Sequence, residues 1–173
     1  MSCPTSDLQT QAADKPPQEV LDWVARGGTV VPISQDTWQP AIKWGKLKPA
    51  TVEQVEEWAR QFPGCAWGGV LARDDILVFD IDPRHGGSRE ALEQAIGWKL
   101  PPTYTVSPPW GGEHLYYHMP IKHPARRGST DKLATGVGVR GREGYVILAG
   151  STRNGVDGKW TANNAEIATL GEQ

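Results

Sequence analysis

Two aspartates close an apolar run in Ile76-Leu-Val-Phe-Asp80-Ile-Asp82-Pro-Arg-His-Gly86-Gly87. Uninterrupted apolar residues from Ile76 to Phe79 read as a strand buried on both faces, and carboxylates at the end of such a strand need a partner for their charge. Side chains at i and i+2 share a face, so Asp80 and Asp82 lie about 7 Å apart at Cα and can converge on one site. Paired acids repel unless cations lie between them. Mg2+ suits this pair, because it takes oxygen ligands and is commonly held by one or two carboxylates together with substrate phosphates. A second ion about 3.5 to 4 Å away would stabilise the attacking and leaving oxygens of a phosphoryl or nucleotidyl transfer. A strand end followed by an Asp-Pro turn accounts for the same residues without a metal.

Two further segments carry candidate chemistry. In Ser107-Pro-Pro-Trp-Gly111-Gly112-Glu-His114-Leu-Tyr-Tyr-His118, Gly111 and Gly112 let the backbone approach a ligand or adopt positive φ. The strand that follows puts His114, Tyr116 and His118 on one face. In Gly136-Val-Gly138-Val-Arg140-Gly141-Arg-Glu-Gly144-Tyr-Val-Ile-Leu-Ala-Gly150-Ser151, Arg140 could hold phosphate oxygens through its planar fork and Ser151 could donate a hydrogen bond. A glycine-rich hairpin with exposed arginines is the alternative. Between Pro120 and Tyr145, Lys122, Arg126, Arg127, Lys132, Arg140 and Arg142 outnumber Asp131 and Glu143, which makes a candidate phosphate-facing patch.

These residues must be positioned by a modest fold. The chain has 173 residues, enough for one domain, and 20 Gly with 14 Pro suggest short elements and many turns, hence a loop-rich α/β domain. The expected domain runs over 17–165, after a flexible tail at 1–16 and before a tail or linker at 166–173. Pro17 to Arg26 reads as a helix stopped by Gly27-Gly28, and Thr29 to Ile33 as a strand. Trp38 to Pro49 reads as a loop. A helix starts at the Thr51/Gln54 capping box, with Val52, Val55, Trp58 and Phe62 on its apolar face. Strands Trp67 to Ala72 and Ile76 to Ile81 are expected to form a hairpin through Arg73-Asp74-Asp75. Ser88 is the candidate N-cap of a helix through Ile96, and strands follow at Thr103–Ser107, His114–Met119, Val137–Arg140 and Tyr145–Leu148.

A net charge of −2 excludes a uniformly basic nucleic-acid coat. Neither a signal peptide nor an apolar run of about 18 residues is visible, so a soluble protein with no membrane contact is expected. Cys3 and Cys65 lack metal-ligand spacing and suggest free thiols in a reducing compartment.

Taken in order, the three segments resemble the N-terminal primase-polymerase domain of phage and plasmid replication proteins, within the archaeo-eukaryotic primase superfamily. The likeness covers roughly Val31 to Trp160. Phe79-Asp-Ile-Asp-Pro-Arg-His-Gly-Gly87 is similar to the family's acidic motif, Gly111-Gly-Glu-His-Leu-Tyr-Tyr117 to its histidine motif, and Gly136-Val-Gly-Val-Arg-Gly141 with Gly144-Tyr-Val-Ile147 to its third motif and following strand. The resemblance implies an α+β fold: an RRM-like antiparallel catalytic sheet packed with a smaller N-terminal α/β module, the active site lying in the cleft between them. It implies that Asp80 and Asp82 bind Mg2+ or Mn2+, that His114 contacts the triphosphate, and that Gly111, Gly112, Arg140 and Ser151 are nucleotide contacts. Lys43, Lys46 and Lys48 would join Arg126 and Arg127 in holding DNA, with Trp44 available to stack on a base.

The activity implied is two-metal transfer of nucleotides from a ribo- or deoxyribonucleoside triphosphate to a primer 3′-hydroxyl on a DNA template. The domain would be fused to or work with a replicative helicase, in the cytoplasm of a bacterial host or an archaeon. The sequence departs from the pattern at Gly138, where the family's third motif carries an acid that completes the metal site. An engineered substitution, a naturally weakened enzyme, or replacement by Glu113, Asp131 or Glu143 would each account for it. A non-polymerising nucleotide- or DNA-binding module and a metal-dependent nuclease are the alternative functions.

Overall fold

The computed structural model describes residues 15–71, 75–119, 130–142 and 144–170, and in them three α-helices and ten strands form two sheets. The helices are α1 (Gln18–Ala25), α2 (Val52–Gln61) and α3 (Arg89–Ile96). The strands are β1 (Thr29–Ile33), β2 (Ala66–Val70), β3 (Ile76–Ile81), β4 (Thr105–Ser107), β5 (Glu113–His118), β6 (Thr130–Ala134), β7 (Val137–Arg140), β8 (Tyr145–Ile147), β9 (Thr161–Ala162) and β10 (Ala168–Thr169). Pro83–His85 is a single 3-10 turn after β3.

Local chemistry accounts for the helix ends. Thr51 Oγ1 accepts from Gln54 N (3.2 Å) at the start of α2, and Ser88 Oγ accepts from Ala91 N (3.0 Å) at the start of α3. Of the residues expected on the buried face of α2, Val55 is sealed and Trp58 half-buried, but Val52 is 40% exposed; Ala59 is buried in its place. Val52 opens the helix and lies beyond the edge of the core.

The smaller sheet runs β1-β2-β8, all antiparallel. The larger runs β6-β7-β3-β5-β4-β9, antiparallel throughout, with β10 added parallel to the far end of β5. This is the α+β class expected. The hairpin expected between the strands around Trp67 and Ile76 does not form. β2 pairs with β1 and β8, whereas β3 pairs with β5 and β7. An apolar strand buried on both faces is a central strand, and β3 takes its two neighbours from the later chain.

Period-two alternation divides β3 and β5 between two cores. Ile76, Val78 and Tyr116 join α1, α2, Trp67 and Val146 in one cluster, and Leu77, Phe79, Ile81, Leu115 and Tyr117 pack with Leu92 of α3 in another. The 166–173 stretch, expected to be a tail, contributes β10 and the buried Leu170, so the folded unit reaches at least that residue. Among the described residues no helix is long and apolar enough to cross a membrane.

Candidate functional site

The strand register puts three positions in one row across the large sheet. Asp80 on β3 faces His114 on β5 and Gly138 on β7. Directly opposed residues hold their Cβ atoms about 4.5 to 5.5 Å apart, so a side chain at position 138 would stand beside the Asp80 carboxylate. Arg140, two residues along β7, reaches back so that Nη2 donates to Asp80 Oδ2 at 3.3 Å. Both groups are partly buried, with side chains 26% and 29% exposed.

His114 is buried, with Nε2 3.5 Å from Asp80 Oδ1 and Nδ1 enclosed without a hydrogen-bond partner. The short contact suggests an ion pair, but burial pushes the imidazole pKa down against the pull of Asp80. Desolvation wins, because the ring is largely buried at the cleft floor while Asp80 is shared with Arg140. His114 is then neutral at neutral pH, with one N–H to offer.

Asp82 lies just beyond β3 and caps the 3-10 turn. Its Oδ1 accepts from Arg84 N (2.9 Å) and Arg84 Nε (3.0 Å); its Oδ2 accepts from Arg84 Nη2 (2.8 Å) and lies 3.0 Å from His85 Nδ1. The hydrogen bonds from Arg84 hold the carboxyl at about 2, below its ordinary 3.8. Arg84 in turn lies over the ring of Trp110, Cζ 4.0 Å from the centroid.

Backbone contact between motifs holds this arrangement. Asp82 N donates to Gly136 O (2.8 Å) and Gly87 N to Asp82 O (2.9 Å). A Cβ on Gly87 would run into the Gly136 carbonyl, so the glycine turn serves close packing of β3 against the start of β7. Gly112 has a similar role, since its Cβ would come within 2.8 Å of Ile81 O.

Asp80, Asp82, Arg84, His114 and Arg140 line one cleft of about 530 Å³. The opposite wall comes from β8 and from the loop after β1, and it is aromatic. Trp38 stacks on Trp160 (centroids 5.6 Å apart, planes at 28°), Trp110 meets Trp160 edge to face (5.1 Å), and Trp44 meets Tyr145 in the same way (5.4 Å). Trp38 has φ +55°, a left-handed conformation that a bulky side chain adopts only under constraint from its surroundings.

The structure thus brings Asp80, Asp82, His114 and Arg140 together, with Gly138 in the facing row. Neither Gly111 nor Gly112 lines the cleft. Ser151 is buried away from it: its Oγ accepts from Trp67 N at 3.0 Å, tying β2 to the chain after β8. Glu113 points to the other face and pairs with Arg89 at 3.0 Å. Lys43, Lys46 and Lys48 are exposed on the loop that carries Trp44. Arg126, Arg127, Glu143 and the Asp131 side chain lie outside the described residues. Sequence reasoning missed Arg84 and the Trp38–Trp160–Trp110 wall. Only the Asp-x-Arg spacing hints at the first, and no local pattern announces the second.

The fold is an α+β domain in which one cleft is lined both by the acids and cations of the large sheet and by indole and phenol rings. The chain is a member of the Prim-Pol family, described as bifunctional DNA primase/polymerase, N-terminal, which matches residues 20–173. It is therefore a primase/polymerase-type domain, of a family whose general activity is nucleotidyl transfer on nucleotide and DNA substrates and which generally uses divalent metals. No curated protein matches the chain.

The donor set fits such a metal in part. Asp80 and Asp82 offer hard oxygens on one side of one cleft, but among the described residues no group of three His, Cys, Asp or Glu converges as a ligand cluster. Two carboxylates suit an ion whose remaining ligands are water and phosphate oxygens.

Proposed function

We propose that this domain transfers nucleotides from a ribo- or deoxyribonucleoside triphosphate to the 3′-hydroxyl of a primer on a DNA template, with Asp80 and Asp82 as the carboxylates that hold Mg2+ or Mn2+. The observation that carries this reading is the convergence of Asp80, Asp82, His114 and Arg140 on one cleft in a chain of this family.

In the reaction the primer hydroxyl gives up its proton to solvent, its oxygen bonds to the α-phosphorus, the bond from that phosphorus to the bridging oxygen breaks, and pyrophosphate leaves. Divalent ions held by Asp80 and Asp82 would supply charge neutralisation to the reacting oxygens. The chain's own residues do the rest. Arg140 turns its fork from Asp80 to phosphate oxygens, where bidentate contacts are strong. His114, kept neutral by burial, presents its N–H to the triphosphate without adding charge. The aromatic wall excludes water and offers ring surface to a base, with Trp44 as the stacking residue. Lys43, Lys46 and Lys48 line the approach with positive charge for the DNA backbone, and a replicative helicase supplies the unwound template.

Gly138 leaves the Asp80 row without a third carboxylate, so Asp80 and Asp82 would hold divalent ions with fewer protein oxygens than three acids would offer. Primer extension with Mg2+ and Mn2+, comparing the chain with Gly138→Asp, tests this: extension rises in the variant. A second reading, binding without polymerisation, is favoured by the two guanidinium groups that already answer Asp80 and Asp82. It would be adopted if both proteins bind primer-template DNA and nucleotide and neither extends.

A further inference from the structure

The saturation of Asp82 has a consequence for how the site fills. A carboxylate offers about four lone-pair positions. Arg84 takes three of them through its backbone N–H, Nε and Nη2, and His85 Nδ1 lies on the fourth at 3.0 Å. Nothing is left for a metal ion while this arrangement stands. The backbone bond belongs to the 3-10 turn and stays, so a metal can enter only where the His85 ring or the Arg84 side chain gives way, and of the two Arg84 holds both oxygens.

That side chain has somewhere to go. It is 49% exposed, it lines the same cleft as Asp80, His114 and Arg140, and its guanidinium carbon lies over Trp110, 4.0 Å from the ring centroid. An indole face holds a guanidinium without fixing its rotation in the ring plane, so Arg84 can slide off Asp82 while keeping that contact. A planar fork released from Asp82 matches phosphate oxygens, which it can hold bidentately.

We propose that Arg84 is an internal counter-ion that occupies Asp82 until a metal–triphosphate complex arrives, and that it then passes to the triphosphate and becomes a nucleotide-binding residue. Resting on the reading of Asp82 as a metal ligand, this assigns Arg84 a role in the order of binding: metal alone meets a closed carboxylate, whereas metal carried by nucleotide brings the anion that draws Arg84 away. Trp110 is the positioning residue for both states.

Mn2+ binding followed by the electron paramagnetic resonance signal of the free ion tests the assignment on the full chain, with and without a non-hydrolysable deoxynucleoside triphosphate. If the closed arrangement is held by about nine molecules in ten, Arg84→Gln tightens binding of Mn2+ alone about tenfold, and it weakens binding of the Mn2+–nucleotide complex. Arg84→Lys keeps the charge but loses the fork, and it also tightens Mn2+ alone; a lysine variant indistinguishable from the unsubstituted chain would reduce the effect to net charge and overturn the exchange. Should Arg84→Gln leave Mn2+ binding unchanged while Asp82→Asn abolishes Mn2+–nucleotide binding, the counter-ion role is wrong and the metal site stands. If neither Asp80→Asn nor Asp82→Asn alters Mn2+ binding in either condition, the metal site itself is wrong and the role of Arg84 falls with it.

Discussion

The two faces of the large sheet are made from the same strands and do opposite things. Toward α3, Leu77, Phe79, Ile81, Leu115, Tyr117 and Val137 form an apolar face, charged only where Glu113 at the start of β5 pairs with Arg89. On the other face, alternate residues of those strands pass from core to chemistry along their length: Val78 and Tyr116 are sealed against the small sheet, and Asp80, His114 and Arg140 open into the cleft. A single-residue step therefore separates a position that holds the fold from one that serves the site, and substitutions one residue apart should fail in different ways.

The largest expected effect lies on the α3 face. Phe79→Ala removes a buried ring packed against Tyr117 and should lower unfolding free energy by about 3 to 5 kcal/mol in urea titration. Its neighbour Asp80→Asn should weaken Mn2+-dependent nucleotide binding about 100-fold by calorimetry, with unfolding free energy changed by less than about 1 kcal/mol. If both substitutions act mainly on stability, the division between the faces does not hold. Ser151→Ala separates staple from ligand: it leaves the buried Trp67 N–H without its acceptor, at a cost of about 1 to 3 kcal/mol, and nucleotide affinity should not move.

The smallest effect concerns Cys65, whose thiol is pushed by burial from 9.0 up to about 12. At pH 8 its alkylation, read on the Cys65 peptide, should run at least about 100-fold slower in the folded chain than in urea. Because the folded value is the raised one, the stability linked to this thiol is complete below pH 9 and declines as pH rises toward 12.

What could be read from the sequence follows the reach of each signal. Asp80 with Asp82, and His114 with Tyr116, were legible because strand alternation is local and needs no knowledge of neighbours. The helix caps at Thr51 and Ser88 were legible for the same reason. The hairpin was misread because closeness along the chain suggested pairing, whereas a strand apolar on both faces needs two partners and β3 found them some forty and sixty residues later. Ser151 looked like a ligand contact because its hydroxyl had no visible partner in sequence; the partner is Trp67, across the small sheet. The aromatic wall was illegible for a related reason: Trp38, Trp110 and Trp160 meet only through tertiary packing.

The placing of β8 beside β2 also sets an order of assembly. The acid strand and the histidine strand can pair once the chain has been synthesised through His118, but the small sheet waits for Tyr145–Ile147, which must return to Gly68, Gly69 and Val70. Trp160 arrives later still and closes the indole wall. In a chain made from its N-terminus, Asp80 and His114 are therefore both present before the residues that form the opposite wall of their cleft. Contacts between such distant parts of a chain form slowly, and the site becomes a cleft only as the last of its walls emerges.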